Sequence, residues 1–290
     1  MKKIFSDRIG ITNLDLKIQY DYITKELRNS LWNAFDLYYL AESKSHRDNY
    51  ALKDSYLYKL AINLSMYYFK VPVDNLPYFE DKFLSGIREY FLTTEWFNVY
   101  NFLEFCYEYI EASGVDKVKY TEFTNALLKA ELSGYRIVGD NFAPIIHEEE
   151  IKSINDSLKL SQEQELVGVH SHISAALEIL SNRTLNNSDK YRNSIKESIS
   201  AVEALCNKLN TKKSDGLSGA LNLLKKKIDI HGALEAGFIK LYGYTSDSNG
   251  IRHTIMDEPN LDSEDAIYML VTCSAFVNYL IQKASKGGLL

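Results

Sequence analysis

Apolar and polar positions alternate with the period of an α-helix through most of the first 132 residues. Apolar side chains recur three or four positions apart, which places them on one face of a helix. Four stretches carry this pattern: 18–40, 54–68, 81–111 and 115–132. Each of them predicts an amphipathic helix.

A short strand and a proline interrupt this pattern near the middle of the chain. Residues 135–138 read Tyr-Arg-Ile-Val between Gly134 and Gly139, and Pro144 follows. A β-rich run between glycines is typical of a strand, and the cluster of turn residues marks a boundary. We therefore predict two domains, 1–145 and 146–290.

The helical period returns after residue 147. Stretch 148–180 fits one long helix or a broken pair, and further helices are predicted over 191–209, 216–227, 233–241 and 251–256. Within 191–209 the inward positions include Ile195, Ile199 and Val202. Asp262 is placed to cap the last helix, with Asp265 three positions later in a capping box.

The sequence therefore predicts an all-α fold, with two helical domains and at most a minor strand near 135–146. Four prolines and fourteen glycines are too few for an all-β protein. The most apolar stretch, 269–281, includes Thr272 and Ser274 and is too short to cross a bilayer. It predicts a buried helix, and no membrane partner is expected.

Charge and cysteine content narrow the class of protein further. The chain has 33 Lys and Arg residues and 39 Asp and Glu residues, so its net charge is −6. This excludes a strongly basic protein of the kind that covers nucleic acid along its length. The three cysteines form no CxxC pair, which favours a reducing compartment. Ser6-Asp7-Arg8 interrupts the apolar run that a signal peptide needs. We expect a cytoplasmic protein.

The pair Arg252-His253 is the most distinctive local feature. It follows a polar loop, 245–250, that ends in glycine. An arginine can bind phosphate through two hydrogen bonds, and a neutral histidine can accept a proton. The alternative is a surface arginine and histidine beside a turn.

A second feature is a local excess of positive charge between residues 208 and 227. Six lysines against one aspartate give this stretch a net charge of +5. Such a group can hold a nucleic-acid backbone, or it can be a solvated loop and helix end. The lysines are Lys208, Lys212, Lys213, Lys225, Lys226 and Lys227.

Other chemical motifs are weak. His170 and His172 are two positions apart, which sends their rings to different sides of a helix, and 147–150 is more typical of an acidic helix start than of a metal site. Neither a glycine-rich phosphate loop nor a GxSxG or HExxH motif occurs. We predict no metal and no cofactor.

Both halves resemble known domains. The first half is similar to the AbiJ-type N-terminal domain of bacterial abortive-infection proteins, on residues 5–8, 23–33, 134–136 and 144–145. The second half resembles the HEPN domain that accompanies that module, on residues 198–204, 240–244, 247–253 and 264–266. The resemblance implies a sensing or regulatory first domain followed by a HEPN-like helical bundle.

HEPN domains are helical bundles that commonly dimerise, and many are metal-independent ribonucleases. Arg252 matches the arginine of their usual motif and His253 the polar residue beside it, but residues 254–258 lack the later histidine. Glu203 resembles a polar helix position found near such sites. The expected catalytic residues are therefore Arg252, His253 and Glu203, and the six lysines above are the expected RNA-binding residues.

The resemblance implies an anti-phage toxin, an endoribonuclease that cleaves RNA through attack by its 2′-hydroxyl. Its composite site would form in a homodimer or higher homo-oligomer, with two Arg252-His253 pairs across one cleft. The expected partners are RNA, such as tRNA or mRNA, and a phage-derived trigger or regulator. The alternatives are a non-catalytic HEPN protein that binds RNA or a nucleotide and regulates a defence system, and a purely structural helical dimer.

Overall fold

The computed structural model describes residues 17–40, 50–109, 115–182, 187–210, 216–244 and 261–290. Eleven α-helices and one two-stranded sheet lie in these ranges, which confirms the predicted all-α class. The chain divides into two compact units, Met1–Phe142 and Ala143–Leu290.

The first unit holds five α-helices and three short helical turns. Its α-helices are α1 (Lys25–Tyr38), α2 (Tyr58–Asn63), α3 (Glu80–Thr93), α4 (Trp96–Glu108) and α5 (Lys117–Ala130). A π-helix, Leu64–Phe69, continues α2, and 3₁₀ turns cover Leu52–Asp54 and Val73–Asn75. Strands β1 (Arg136–Val138) and β2 (Asn141–Ala143) form the sheet, and β1 confirms the strand predicted over 135–138.

Helix α1 begins seven residues later than the periodicity predicts. The backbone of Gln19 pairs instead with the turn after α5, accepting from Gly134 N at 3.0 Å and donating to Leu132 O at 2.9 Å. Thr24 then caps the helix, because its side chain accepts from Leu27 N. A pairing between positions more than a hundred residues apart leaves no trace in local spacing.

The aromatic stretch 81–111 forms two helices rather than one. Thr94 and Glu95 both adopt extended backbone angles between α3 and α4. The two helices fold back on the same core, where Phe91 of α3 lies 5.8 Å from Phe102 of α4, ring centre to ring centre. Phe35 of α1 packs on Phe102 as well, at 5.3 Å.

The second unit contains six α-helices. They are α6 (Glu148–Glu163), α7 (Val167–Ser181), α8 (Asn187–Leu209), α9 (Gly216–Leu224), α10 (Gly232–Tyr244) and α11 (Ser263–Lys286). The stretch 148–180 is thus the broken pair, and Glu165 in the link has a left-handed φ of 52°. Ile195, Ile199 and Val202 of α8 are buried as predicted.

Helices α6, α7, α8 and α11 form a four-helix bundle. Helix α8 packs between α7 and α11, and α6 closes the bundle against both of those helices. Helices α7 and α8 are antiparallel: Ser194 Oγ donates to Ala176 O at 2.8 Å, and further along α8 Ala204 lies opposite Gly168, nearer the start of α7. Asn278 of α11 donates to Ser153 O of α6.

Helix α11 runs parallel to α8. Lys227 Nζ donates to Leu209 O, at the carboxyl end of α8. The next residue, Ile228, packs against Gly287, where an added Cβ would lie 3.2 Å from its Cγ2. The carboxyl ends of α8 and α11 therefore lie at one end of the bundle, which we call the lysine end. The first residues of α11 lie at the opposite end.

The start of α11 has the predicted cap. Asp265 N donates to Asp262 Oδ1 and Asp262 N donates to Asp265 Oδ2, which completes the capping box. Within the parts of the chain just described, the helices are too short or too polar to span a bilayer.

Candidate nucleic-acid interface

Five of the nine predicted site residues lie in the described part of the second unit. They are Glu203, Lys208, Lys225, Lys226 and Lys227. Arg252 and His253 fall in the segment between α10 and α11 that lies outside the described residues, as do Lys212 and Lys213 between α8 and α9. The roles predicted for these four residues stay predictions.

Glu203 lies on α8, six residues before its carboxyl end, and its side chain is half-buried. Cys206 is buried one turn further along. Burial, with a smaller contribution from the Glu203 charge, raises the pKa of Cys206 to about 12. Glu203 thus lies one turn from Cys206, in the last turns of α8 and towards the lysine end.

Two of the predicted RNA-binding lysines have partners within the unit. Lys225 Nζ lies 2.5 Å from Glu235 Oε2, and the Glu235 side chain is only 6% exposed. Lys227 Nζ donates to Leu209 O at 2.8 Å, which satisfies a carbonyl that the end of α8 leaves without a helical partner. Both ammonium groups stabilise the fold, so each has less capacity to bind a phosphate.

Lys208 and Lys226 are the lysines of this group that remain available. Both are exposed, and neither has a hydrogen bond or ion pair within the described ranges. Lys208 is in the last turn of α8, and Lys226 is in the turn that carries Lys227 back to Leu209. The lysine end of the bundle thus presents two solvated positive charges.

A histidine–carboxylate pair lies between α7 and α8. His172 Nδ1 is 2.7 Å from Glu197 Oε2, and both side chains are half-buried. A carboxylate on one ring nitrogen orients an imidazole, as in sites that transfer protons. The sequence shows both residues, but their separation of 25 positions hides the contact.

The remaining titratable groups give no further site in the described ranges. Three or more His, Cys, Asp or Glu side chains nowhere converge there as metal ligands would. Burial raises the pKa of Cys273 to about 12 and that of Cys106 well above its usual value. These thiols stay protonated and are poor nucleophiles.

The fold and these groups define a helical protein of two units, the second with a basic end. A family model described as AbiJ N-terminal domain 4 matches residues 3–160, more than half of the chain. The chain belongs to this family, which confirms the resemblance of its first half and relates it to abortive-infection defence. Comparison with curated proteins and with solved structures gave no match.

Proposed function

We propose that this protein is an abortive-infection effector whose second unit cleaves RNA. The proposal is supported by one combination: an AbiJ family match in the first half, followed by a separate helical bundle with Arg252-His253 in the sequence between α10 and α11. The first unit would act as the sensing or regulatory part, responding to a phage-derived trigger.

The proposed reaction uses the nucleophile that RNA itself carries. The 2′-hydroxyl loses its proton to a base and attacks the adjacent phosphorus, while the bond from phosphorus to the 5′-oxygen breaks and that oxygen takes up a proton. The products are a 2′,3′-cyclic phosphate and a 5′-hydroxyl. Arg252 would stabilise the negative charge on the phosphoryl oxygens, and His253 would transfer a proton.

One imidazole cannot serve as base and acid at once, so the proposal includes a homodimer with a composite site. His172, oriented by Glu197, is a further proton-transfer group in each copy. Glu203 stays a proposed catalytic residue, and the exposed Lys208 and Lys226 would hold the RNA backbone at the lysine end.

Growth arrest and RNA ends test the proposal together. Wild type should arrest growth on expression and create new RNA ends, whereas Arg252→Ala should do neither. Arg192→Ala is the matched control, because Arg192 is a surface residue whose guanidinium pairs with Asp189 on the same helix. His253→Ala should slow cleavage on the order of 10²- to 10⁴-fold. Cleavage by His253→Ala at the wild-type rate would remove its catalytic role.

The lysine end has its own test. Replacing Lys208 and Lys226 together by Gln should weaken RNA binding and reduce the slope of log affinity against log salt by about one per lysine. Lys152→Gln with Lys159→Gln, two exposed positions on α6, is the control. An unchanged slope in the Lys208/Lys226 variant would exclude this surface.

A second candidate function is a non-catalytic RNA- or nucleotide-binding regulator. It is favoured by residues 254–258, which lack the later histidine of the motif that the HEPN resemblance implies. In that case the purified protein would bind RNA without cleaving it. Cells that express the protein would form no new RNA ends, even during phage infection.

A further inference from the structure

Helix α11 has an outward face without charge. Between Asp265 and Lys283 the sequence has no charged residue, although the helix is 24 residues long. Its exposed positions in this interval form one narrow stripe, because they are seven residues apart: Tyr268, Ala275 and Gln282. The helices α6, α7 and α8 around it all have charged side chains on their exposed surfaces.

The two ends of the stripe are charged, with opposite signs. Glu264 continues the stripe one turn before Tyr268, and Lys286 continues it one turn after Gln282. All five positions lie within about 40° of one another around the helix axis, given 3.6 residues per turn. The stripe is therefore acidic, then neutral over four turns, then basic.

We propose that this stripe is the surface on which a second copy of the chain binds, with the two α11 helices antiparallel about a two-fold axis at Ala275. That axis pairs residues equally far from position 275. Glu264 then faces Lys286 of the second copy, Tyr268 faces Gln282, and the small Ala275 side chain faces its own equivalent. Parallel helices would instead place Glu264 against Glu264 and Lys286 against Lys286.

The residue types fit a protein interface. Tyr268 is 59% exposed, which is a high value for a side chain with a large apolar body. Tyrosine is enriched in the cores of interfaces, where charged residues are depleted. The small side chain of Ala275 allows two helix backbones to approach closely at the axis. The stripe from Glu264 to Lys286 is about 33 Å long, at 1.5 Å per residue.

This inference specifies the homodimer that the proposed function requires. Because α11 runs parallel to α8, the antiparallel pair brings Glu264 of one copy to the lysine end of the other, near Lys208 and Lys226. The two α11 starts of a dimer are then about 33 Å apart.

The first test measures the mass of the full chain by light scattering and sedimentation. Wild type should be dimeric at micromolar concentration. Ala275→Arg places two guanidinium groups together at the axis and should weaken the dimer on the order of 10²-fold. Ser171→Arg, at an exposed position on α7, is the control and should stay dimeric. A monomeric wild type, or an Ala275→Arg variant as dimeric as wild type, would overturn the proposal.

Charge reversal tests the register in a second way. Lys286→Glu should weaken the dimer by placing two carboxylates together, and Glu264→Lys in the same chain should restore it. Cysteines give the same information covalently, since the three native thiols are buried. Ala275→Cys should cross-link to its equivalent under mild oxidation, whereas Tyr268→Cys should not, because its two copies lie about 21 Å apart.

These measurements give mass and cross-linking rather than RNA cleavage. If the protein dimerises through α11 but does not cleave RNA, the interface proposal stands and the nuclease proposal is wrong. If a monomeric protein cleaves RNA, the nuclease proposal stands and the interface proposal is wrong.

Discussion

The two units bury their hydroxyl groups in different ways. In the first unit, tyrosine hydroxyls connect distant elements: Tyr39 donates to Cys106 O of α4, and Tyr135 donates to Tyr20 O. In the second unit, most buried serines bond within their own helix, as Ser157 does to Ile154 O and Ser198 to Ser194 O. The first unit is therefore tied together by side chains, whereas the helices of the second meet mainly through apolar contacts.

Ring packing shows the same difference. Aromatic rings of α1, α3 and α4 form one continuous set in the first unit. Among the described residues of the second unit, the set is Phe238, Phe276 and Tyr279. Directional contacts fix an arrangement more strictly than aliphatic packing does. The arrangement of the first unit's core is therefore fixed more strictly than that of the second.

Phe102→Ala tests the aromatic core and should have the largest effect. The ring lies between 5.3 and 6.2 Å from those of Phe35, Phe91 and Tyr90. Its removal leaves a cavity and should cost about 3–5 kcal/mol in the free energy of unfolding. Urea unfolding followed by circular dichroism measures this. Phe97→Ala, at an exposed position, is the control and should change stability by about 0.5 kcal/mol or less. A similar loss of unfolding free energy in both variants would show that the buried ring of Phe102 contributes no more to stability than the exposed ring of Phe97.

Lys225→Met tests the ionic contact at the lysine end of the second unit. It leaves the buried Glu235 carboxylate without its partner, which should cost about 1–3 kcal/mol because Lys225 itself is partly solvated. The neighbouring Lys226→Met is the control and should be within about 0.5 kcal/mol of wild type. The same denaturant titration checks both. Equal stability of the two variants would show that Lys225 is as solvated as Lys226.

Tyr39→Phe and Ser198→Ala compare the two kinds of buried hydroxyl directly. Tyr39→Phe removes a donor to Cys106 O and should cost about 1 kcal/mol. Ser198→Ala removes a bond within one helix, and alanine's higher helix propensity should make it neutral or stabilising by about 0.5 kcal/mol. Equal losses in the two variants would mean that the serine hydroxyls also hold the second unit together.

The parts of the fold that the sequence predicts are those set by neighbouring residues. Helical periodicity locates α5 and α8 within a few residues, and the capping box at Asp262 follows from two positions in one turn. Local sequence patterns do not reveal contacts between residues that are far apart in the chain. The late start of α1 depends on Gln19 pairing with Leu132 and Gly134.

The candidate site divides in the same way. The sequence shows that lysines cluster between residues 208 and 227, and the structure distinguishes exposed Lys208 and Lys226 from Lys225 and Lys227, which have partners. Charge can be counted from composition, but whether an ammonium group is solvated depends on the tertiary fold. The contact of His172 with Glu197 needs α7 and α8 to be antiparallel at one register.

The smallest expected effect on stability comes from a buried carboxyl group of the first unit. It should appear as a dependence of the unfolding free energy on pH. Burial raises the pKa of Glu104, although its Oε1 accepts a hydrogen bond from Phe142 N at 2.6 Å. A raised pKa in the folded state means that the neutral acid is the favoured form there. Glu104 therefore stabilises the fold below its unfolded pKa, near 4.3, and this contribution is lost as the pH rises through its folded pKa.

Glu104→Gln should remove this dependence while keeping an oxygen for Phe142 N. The variant and wild type should be about equally stable at acidic pH, and the variant should become the more stable as the pH rises to 7. Unfolding free energies measured across this range give the difference curve, with Glu122→Gln on the exposed face of α5 as the control. If the difference in unfolding free energy between Glu104→Gln and wild type did not change with pH, the hydrogen bond from Phe142 N would compensate fully for burying the ionised carboxylate. A side-chain hydrogen bond of the first unit would then be enough to hold a buried charge without loss of stability.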